Sequence, residues 1–471
     1  MATAELSPGQ PRPHGPVIVV LLCLAALLFE ATSDVLPDAP IFGVVTWQRV
    51  VTTAGFAAAL VAGARWRHFR TRLDIPVVVL LLASAVAAYR WGGDAPFRHL
   101  FSYVSVYYLA TALMRLQPTA WRALVVLAAG AVTVASAVAI GQSSENVPTG
   151  FCRSGLLRDA SCSEPGVFAR ATGTFSNPNL LAAFLLLLVP LAVLAVTMFT
   201  DHLQRVVAMA AIVLACAALL VTYSRGPWVA GFAAALVLAW QWARTRFSPQ
   251  QLRLAAMIGA GLLVVGLIGI ALVSQAGRSL GVRNEAWSTA LRVAADEPLG
   301  VGLGRAGDVV NARIEGSVEF FHLHNLWLNW LVEAGVLGFL AITAVTIGST
   351  VTAFGLAVRG HAMGFAASSA LIGYFTMNLM DHPSSLGRLA TAMWLVLGFV
   401  MGAAPARWRG WTERYDLPVA AAADPYGGSG AWPASSAELA LSTASSGVRA
   451  VPRHVRSFEP ARTGGRTRVR R

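Results

Sequence analysis

Long apolar runs recur along this chain and leave few alternatives to a membrane protein. Several runs reach roughly 17–25 residues, the length at which an α-helix crosses about 30 Å of hydrocarbon. Hydrophobic residues make up 56% of the sequence, charged residues make up 13%, and the mean hydropathy of +0.61 excludes an ordinary soluble domain. The first run, Val17–Leu28, resembles a signal peptide, but it has no small-residue cleavage pattern and further runs follow. We therefore predict an all-α polytopic membrane protein.

The pattern of apolar runs predicts about twelve transmembrane helices. Arginine-rich loops alternate with loops that hold few or no arginine residues, and cytoplasmic loops carry the excess of positive charge in membrane proteins. This alternation predicts that both termini are cytoplasmic. The predicted spans are residues 16–34, 41–63, 75–91, 96–115, 122–141, 178–199, 206–223, 227–242, 254–274, 335–357, 364–380 and 387–404.

The spans divide the chain into a cytoplasmic N-terminus at 1–15, a transmembrane domain at 16–404 and a tail at 405–471. The tail is rich in Ala, Ser, Pro and Gly, a composition typical of disorder, and it ends in closely spaced arginine residues. Those residues either contact anionic lipid headgroups or form a solvated charge run. The formal net charge of +13 comes from arginine in cytoplasmic loops and in the tail, so we predict no nucleic-acid partner.

Two predicted extracytoplasmic loops are long, at about 142–177 and about 275–334, and function usually concentrates in such loops. The first loop carries Cys152 and Cys162, which are close enough in sequence to form a disulfide if the loop faces an oxidising compartment. The second loop carries His322 and His324. We therefore expect the functional residues on the outer face.

Two polar clusters flank the sixth to eighth spans on this face. Arg170–Asn179 ends the first long loop, where Asn177 and Pro178 suit the cap and the first residue of a helix. Thr222–Trp228 is a sharp turn that contains Arg225, and this arginine either binds an anionic ligand or snorkels to lipid headgroups. A cap and a snorkelling arginine would be structural features only.

The second long loop contains Arg283 and then the glycine run Pro298–Gly304. The run resembles a phosphate-binding loop only superficially, because it lacks the preceding strand and the lysine. We therefore give it little weight as a nucleotide site.

The histidine pair precedes Asn325 and an aromatic-rich helix. An ionisable group at a membrane surface is usually functional, and the pair fits three roles: zinc ligands, a general base, or packing. Zinc would require a third ligand, and none of the candidates has diagnostic spacing. Those candidates are Asp308, Glu315, Glu319, Asp381 and His382. A neutral histidine acting as general base fits better, and we predict no metal ion and no cofactor.

The predicted outer face restricts the chemistry. Nucleotide-activated donors are cytoplasmic, so a transferase outside requires a donor that is already activated in the membrane, such as a polyprenyl-diphosphate sugar. Its departing diphosphate needs positive charge, and the planar fork of arginine pairs bidentately with phosphate oxygens. Arg170, Arg225 and Arg283 are external, and no Asp-x-Asp pair is present to hold a metal ion. We therefore predict metal-independent, inverting transfer in which a histidine accepts the proton of the acceptor hydroxyl.

Together, these clusters resemble the O-antigen ligase and O-antigen polymerase superfamily of bacterial membrane glycosyltransferases. The resemblance rests on five short motifs in the family's order, within about residues 170–340, and the ordered set is more specific than any one motif. The motifs are Gly173–Asn179 with Ala182, Ser224–Gly226 with Trp228, Arg283 with Trp287, Pro298 with Gly300–Gly304, and His322–Asn325 with Leu328, Glu333 and Gly335.

The resemblance implies a C-type glycosyltransferase-like bundle in the bacterial inner membrane, with an undecaprenyl-diphosphate type of glycan donor. It implies that Arg225 and Arg283 bind the donor diphosphate and that His324 is the base that activates the acceptor. The acceptor stays open between a glycan, a lipid and a protein, as does the choice between ligase and polymerase. Further substrate contacts are expected at Arg170, His322, Asn325, Asn177 and Asn179.

Two other functions compete with glycan transfer. A transporter or flippase for lipid-linked oligosaccharides usually places ionisable residues near the bilayer midplane and often has inverted repeats. Arg49 is the clearest charged residue inside a predicted span, whereas the other notable ones lie in external loops, which favours an enzyme. A non-catalytic scaffold for envelope assembly would depend on the arginine-rich tail, so deleting 410–471 would abolish its function.

Overall fold

The computed structural model describes residues 14–406 apart from 34, 36–39, 156–157, 245, 249, 255–256, 260, 262–277 and 315–318. The chain divides into two compact units, 1–415 and 416–471, and the second lies outside the described residues. The predicted tail at 405–471 and the predicted N-terminus at 1–15 therefore fall almost wholly outside the description. The predicted span at 254–274 also lies largely outside it.

The described chain is mostly helical. Its helices are α1 (His14–Ser33), α2 (Trp47–Val61), α3 (Trp66–Phe69), α4 (Asp74–Trp91), α5 (Asp94–Leu116), α6 (Trp121–Ser144), α7 (Pro178–Met198), α8 (His202–Val221), α9 (Arg225–Arg244), α10 (Arg278–Asp296), α11 (Ala306–Asn311), α12 (Leu326–Val358), α13 (Ala362–Met377) and α14 (Gly387–Ala403). A 3₁₀ turn, Pro383–Ser385, precedes α14, and three short strands lie between α6 and α7.

Six of the described helices are long and apolar enough to cross a membrane, so the chain is a multi-pass membrane protein. Each predicted span outside 254–274 overlaps a helix, but the predicted number of twelve is not confirmed by length and composition. The six are Gly15–Ser33, Asp74–Trp91, Trp121–Ser144, Pro178–Met198, His202–Val221 and Leu326–Val358.

The loop between α6 and α7 folds into a small sheet with strand order β2-β1-β3. The strands are β1 (Cys152–Ser154), β2 (Arg158–Ala160) and β3 (Phe168–Ala169), and both pairings are antiparallel. In the structure a disulfide joins Cys152 to Cys162. At the end of α6, Gln142 fixes the same loop: its Oε1 accepts the N–H of Gly173 at 2.8 Å, and its Nε2 donates to the Gly173 carbonyl at 3.0 Å. The loop is therefore held to the bundle.

The second long loop contains an apolar cluster of its own. One face of α10 presents Ala286, Ala290 and Val293 at helical spacing, and these residues are buried. They share a core with the loop residues around Phe320 and with Val332 of α12. The loop is consequently a packed substructure rather than an open connection.

The helix α12 breaks at Gly335, where φ is +70°. The break leaves backbone carbonyls of α12 without helical partners, and N–H groups of the glycine run bond to them. Val301 N–H donates to Val332 O at 2.9 Å, and Gly302 N–H donates to Glu333 O at 3.1 Å. An added Cβ at Gly335 would overlap the carbonyl oxygen of Pro298. The glycine run therefore allows the backbone to pack closely against the break in α12.

The helix directions define two ends of the described bundle. The arginine end comprises residues 65–72, 115–121, 199–205, 359–361 and 404–405, where Arg115 donates to the carbonyls of Arg67 and Arg70 and Arg72 donates to that of Pro405 at 2.7 Å. The site end comprises the starts of α7, α9, α12 and α14 with the segment 378–388. Helices α12 and α14 both run from the site end to the arginine end. The site end and the arginine end therefore lie at opposite ends of the bundle.

Candidate functional site

The histidine segment is tied to the segment after α13. Asn325 caps α12, because its side-chain oxygen accepts the N–H of Leu328 at 3.0 Å. Its amide group donates to the Leu379 carbonyl at 3.0 Å, and Leu326 N–H donates to the Asn378 carbonyl at 3.0 Å. These bonds bring two segments together that are more than fifty residues apart in sequence.

His324 has a φ of +49°, in the left-handed region that costs a non-glycine residue about 1–2 kcal/mol. Such strain persists only where the surroundings enforce it, and it clusters at functional sites. The cap at Asn325 and the bond from Trp287 Nε1 to the Leu323 carbonyl, 2.8 Å long, fix the chain on both sides of His324. The strained backbone therefore fixes the orientation of the His324 imidazole.

That imidazole meets a buried carboxylate. His324 Nδ1 lies 3.1 Å from Asp381 Oδ1, and the Asp381 side chain is 10% exposed. Because an ionised carboxylate only accepts, the contact assigns the proton of neutral His324 to Nδ1 and leaves Nε2 with a free lone pair. A base with a partner that orients it is the arrangement expected for general-base chemistry.

The second carboxylate oxygen continues the network away from the histidine. Asn179 Nδ2 donates to Asp381 Oδ2 at 2.8 Å, and Ser224 Oγ donates to Asn179 Oδ1 at 2.8 Å. Arg170 then donates to Ser224 Oγ at 3.0 Å. This polar relay, Arg170–Ser224–Asn179–Asp381–His324, joins three of the sequence clusters into one site.

The remaining predicted arginines flank the same segment. Arg283 is half-buried on α10 and donates to the Met380 carbonyl at 3.0 Å. Arg225 begins α9, and the neighbouring Gly226 lies against Met380, since an added Cβ would stand 3.8 Å from the Met380 Cβ. Arg283 thus contacts the residue before Asp381, and Arg225 is the chain neighbour of a glycine that lies against that residue.

The predicted contacts at Asn177 and Asn325 are caps in this structure. Asn177 accepts the N–H of Asn179 at 2.8 Å, and Pro178 is the first residue of α7, so the predicted cap is confirmed. Both asparagine side chains are therefore engaged with the backbone, whereas Asn179 is engaged with Asp381.

Burial and neighbouring charges keep two histidines neutral. Burial and the adjacent His324 lower the pKa of His322 to about 4, and burial and the neighbouring His322 lower the pKa of His382 to about 3. Burial alone would raise the pKa of Asp381, but the hydrogen bond from His324 and the positive charge that His324 or His322 gains on protonation hold it well below its usual range. The site therefore contains an ionised carboxylate beside neutral imidazoles.

The site also contains a candidate metal-ligand set among the described residues. One ligand atom each of His322, His324 and Asp381 lies within 4.8 Å of the others. However, His322 Nδ1 accepts the N–H of His324 at 3.2 Å, which places the proton of neutral His322 on Nε2, the atom that faces Asp381 at 4.0 Å. A metal ion would need that atom unprotonated, so the set is arranged as a hydrogen-bonded cluster.

One comparison with known proteins finds a match that includes part of this site. Residues 210–343 match the family model described as O-antigen ligase. Over this stretch the chain is similar to O-antigen ligases. The match confirms the resemblance predicted from the motifs, and it covers Arg225, Arg283, the glycine run and the histidine pair. No curated protein matches the chain.

An O-antigen ligase domain implies glycan transfer in a broad sense, with a lipid-linked glycan donor and a glycan acceptor. Asp381 lies outside the matched residues, and the sequence pattern suggested only one role for it, that of a possible zinc ligand. A signal for it does exist, because Asp381 and His382 are adjacent ionisable residues between two apolar helices. The contact of Asp381 with His324 depends on the fold, and no short-range sequence pattern predicts it.

Proposed function

We propose that this protein transfers a glycan from a polyprenyl-diphosphate carrier to an acceptor hydroxyl, with His324 as the general base. The observation that carries the proposal is the 3.1 Å contact between His324 Nδ1 and Asp381, which leaves Nε2 as the acceptor atom. In this scheme Asp381 is a positioning residue, and it stabilises the imidazolium that forms when His324 takes a proton.

The reaction follows from these roles. The acceptor hydroxyl gives its proton to His324 Nε2 while its oxygen forms a bond to the anomeric carbon. The bond from that carbon to the diphosphate oxygen breaks, and the electron pair leaves with the diphosphate. Attack from the face opposite the leaving group inverts the anomeric centre. The protein's contribution is thus a proton acceptor and stabilisation of the departing charge.

Arg225 and Arg283 stabilise the departing diphosphate in this scheme, with Arg170 contributing through Ser224. Their positions beside Met380 support this role, because charge that develops next to the base needs cations close by. Guanidinium groups supply that charge without a metal ion.

The site faces the extracytoplasmic side of the bacterial inner membrane in this proposal, and both termini are cytoplasmic. Support comes from the opposite end of the bundle, where the arginine-rich loops gather. A lipid-carried donor suits that face, since it needs no cytoplasmic nucleotide.

Reconstitution tests the function directly. Purified protein in vesicles would receive a defined polyprenyl-diphosphate oligosaccharide and a panel of glycan, lipid and peptide acceptors. We expect a joined product from the wild-type protein and none from His324→Ala. Sizing the product separates one addition from repeated addition. Movement of the labelled donor between leaflets without any product would refute glycan transfer and favour transport.

A further inference from the structure

A cavity of about 350 Å³, lined by both polar and apolar side chains, lies at the site end and has none of the polar-relay residues in its lining. Its walls come from the end of α1, the starts of α2 and α5, and the start of α14 with the turn before it. The volume falls within the range of small-ligand sites. The polar and aromatic side chains of the lining include Glu30, Trp47, Gln48, His99, Tyr103 and Arg388.

The cavity and the histidine site draw on neighbouring parts of one chain segment. Ser385–Arg388 lines the cavity and begins four residues after Asp381, so at most about 14 Å of chain separates the two. Arg388 is 6% exposed and donates to the Thr174 carbonyl at 3.2 and 3.3 Å, in the loop that leads into α7. The cavity and the polar relay are therefore anchored to the same two segments.

The lining is organised before any ligand binds. Gln48 Nε2 donates to Thr391 Oγ1 at 3.1 Å, which links α2 to α14. The rings of His99 and Tyr103 stack with centroids 6.4 Å apart, and the Tyr103 hydroxyl lies against Gly387. These contacts fix amide, imidazole and phenol groups around one space.

The mixture of groups fits a sugar. A pyranose presents hydroxyls that both donate and accept, and apolar C–H faces that pack on aromatic rings. The cavity offers a carboxylate acceptor at Glu30, an amide at Gln48 and aromatic surface at Trp47, which is 41% exposed. One acidic and one guanidinium side chain line it, a balance that suits an uncharged saccharide better than a diphosphate.

We propose that this cavity binds a saccharide unit of the glycan acceptor. The inference rests on the proposed transfer function. The helices that line the cavity are α1, α2, α5 and α14, whereas the diphosphate-binding arginines lie on α9 and α10. The proposed donor and acceptor sites therefore lie on different elements, which lets both substrates bind at the same time.

A binding experiment tests the cavity without turnover. Detergent-solubilised protein would be titrated with soluble oligosaccharides of hexoses, N-acetylhexosamines and uronic acids, with saturation-transfer NMR as the readout. We expect the wild type to bind at least one of them and Trp47→Ala and Glu30→Gln to bind at least tenfold more weakly. The matched control is Trp66→Ala, an exposed tryptophan next to the arginine end, which should bind as the wild type does.

Kinetics separate this inference from the function beneath it. With donor and glycan acceptor both varied, Trp47→Ala should raise the acceptor KM at least tenfold and leave the donor KM unchanged. Absence of saccharide binding by the wild type, or equal binding by Trp47→Ala, would overturn the cavity assignment even if glycan transfer occurs. Saccharide binding at the cavity without any donor turnover would instead refute the transfer function.

Discussion

The two ends of the bundle use charged side chains in different ways. At the arginine end, Asp74 accepts from the backbone N–H of Thr71 at 2.9 Å and from the hydroxyl of the same residue at 2.8 Å. Both Thr71 donors lie three residues away, which is local capping, and the Tyr108 hydroxyl adds a longer contact of 3.3 Å from α5. At the site end, Asp381 accepts from His324 and Asn179, which come from distant parts of the chain.

The arginines show a similar contrast. Arg115 at the arginine end donates only to backbone carbonyls in the contacts described, whereas Arg170 at the site end donates to Ser224 within a chain of side chains. Residue type alone does not distinguish the ends. The clearest mark of the site is the carboxylate of Asp381, whose partners include side chains from separate segments, whereas Arg170 also donates to the Thr222 carbonyl at 2.9 Å and Arg283 donates to a backbone carbonyl.

The largest difference is expected between two carboxylates, Asp381 at the site end and Asp74 at the arginine end. Asp381→Asn keeps an accepting oxygen but removes the negative charge that orients His324 and stabilises its imidazolium, and His324→Ala removes the base itself, so each should reduce glycan transfer by about 10²–10⁴-fold. Asp74→Asn should leave transfer within about twofold, since Asp74 caps a helix next to the arginine end and takes no part in the polar relay. Initial rates in vesicles, normalised to folded protein by size exclusion, measure this. Similar losses in Asp74→Asn and Asp381→Asn would show that the ends do not differ.

The next effect concerns two arginines that each donate to a backbone carbonyl. Arg283→Lys keeps the charge but loses the planar fork, and we expect about a 10²-fold loss in transfer. Arg205 donates to the Phe199 carbonyl at 2.7 Å at the arginine end, and Arg205→Lys should retain activity. The measurement is kcat/KM for the donor. A full-rate Arg283→Lys protein would remove this arginine from the diphosphate site.

The sequence predicted the apolar spans and the local motifs because both are written in short-range patterns. It found His324, Arg225 and Arg283, but it assigned no partner to His324, since Asp381 lies 57 residues away and only the α12–α13 packing joins them. It also treated 275–334 as a loop, whereas α10 is helical there because its apolar face packs on Phe320 and Val332. Tertiary contacts decided what local pattern could not.

A smaller effect, on stability, is expected at the helix break. Gly335→Ala forces a side chain into φ +70° and against the Pro298 carbonyl, which should cost at least about 1–2 kcal/mol. Gly130 lies within α6 with open space around its Cα, so Gly130→Ala should not destabilise the protein. Thermal unfolding in detergent measures both. Equal melting temperatures for the two variants would mean that the break does not need glycine.

The smallest effect is a pH dependence of stability that should be stronger at the site end. The pKa of His322 is about 4 in the folded protein and near 6.5 when unfolded, so between those values only the unfolded chain takes up a proton. Stability should therefore be complete above about pH 6.5 and fall as the pH drops, by at most about 1.4 kcal/mol per pH unit for this group. The groups facing it are Asp381, His324, His382 and Arg283.

A histidine from the arginine end gives the comparison for this pH effect. Burial alone lowers the pKa of His361, without the second histidine charge that His322 meets. His322→Gln should therefore flatten the slope of melting temperature against pH between 6.5 and 4 more than His361→Gln does. His382 keeps part of the slope in both variants, because its pKa is about 3. If His322→Gln retained the full wild-type slope, His322 would carry its proton in the folded site, and its Nδ1 could not accept the N–H of His324.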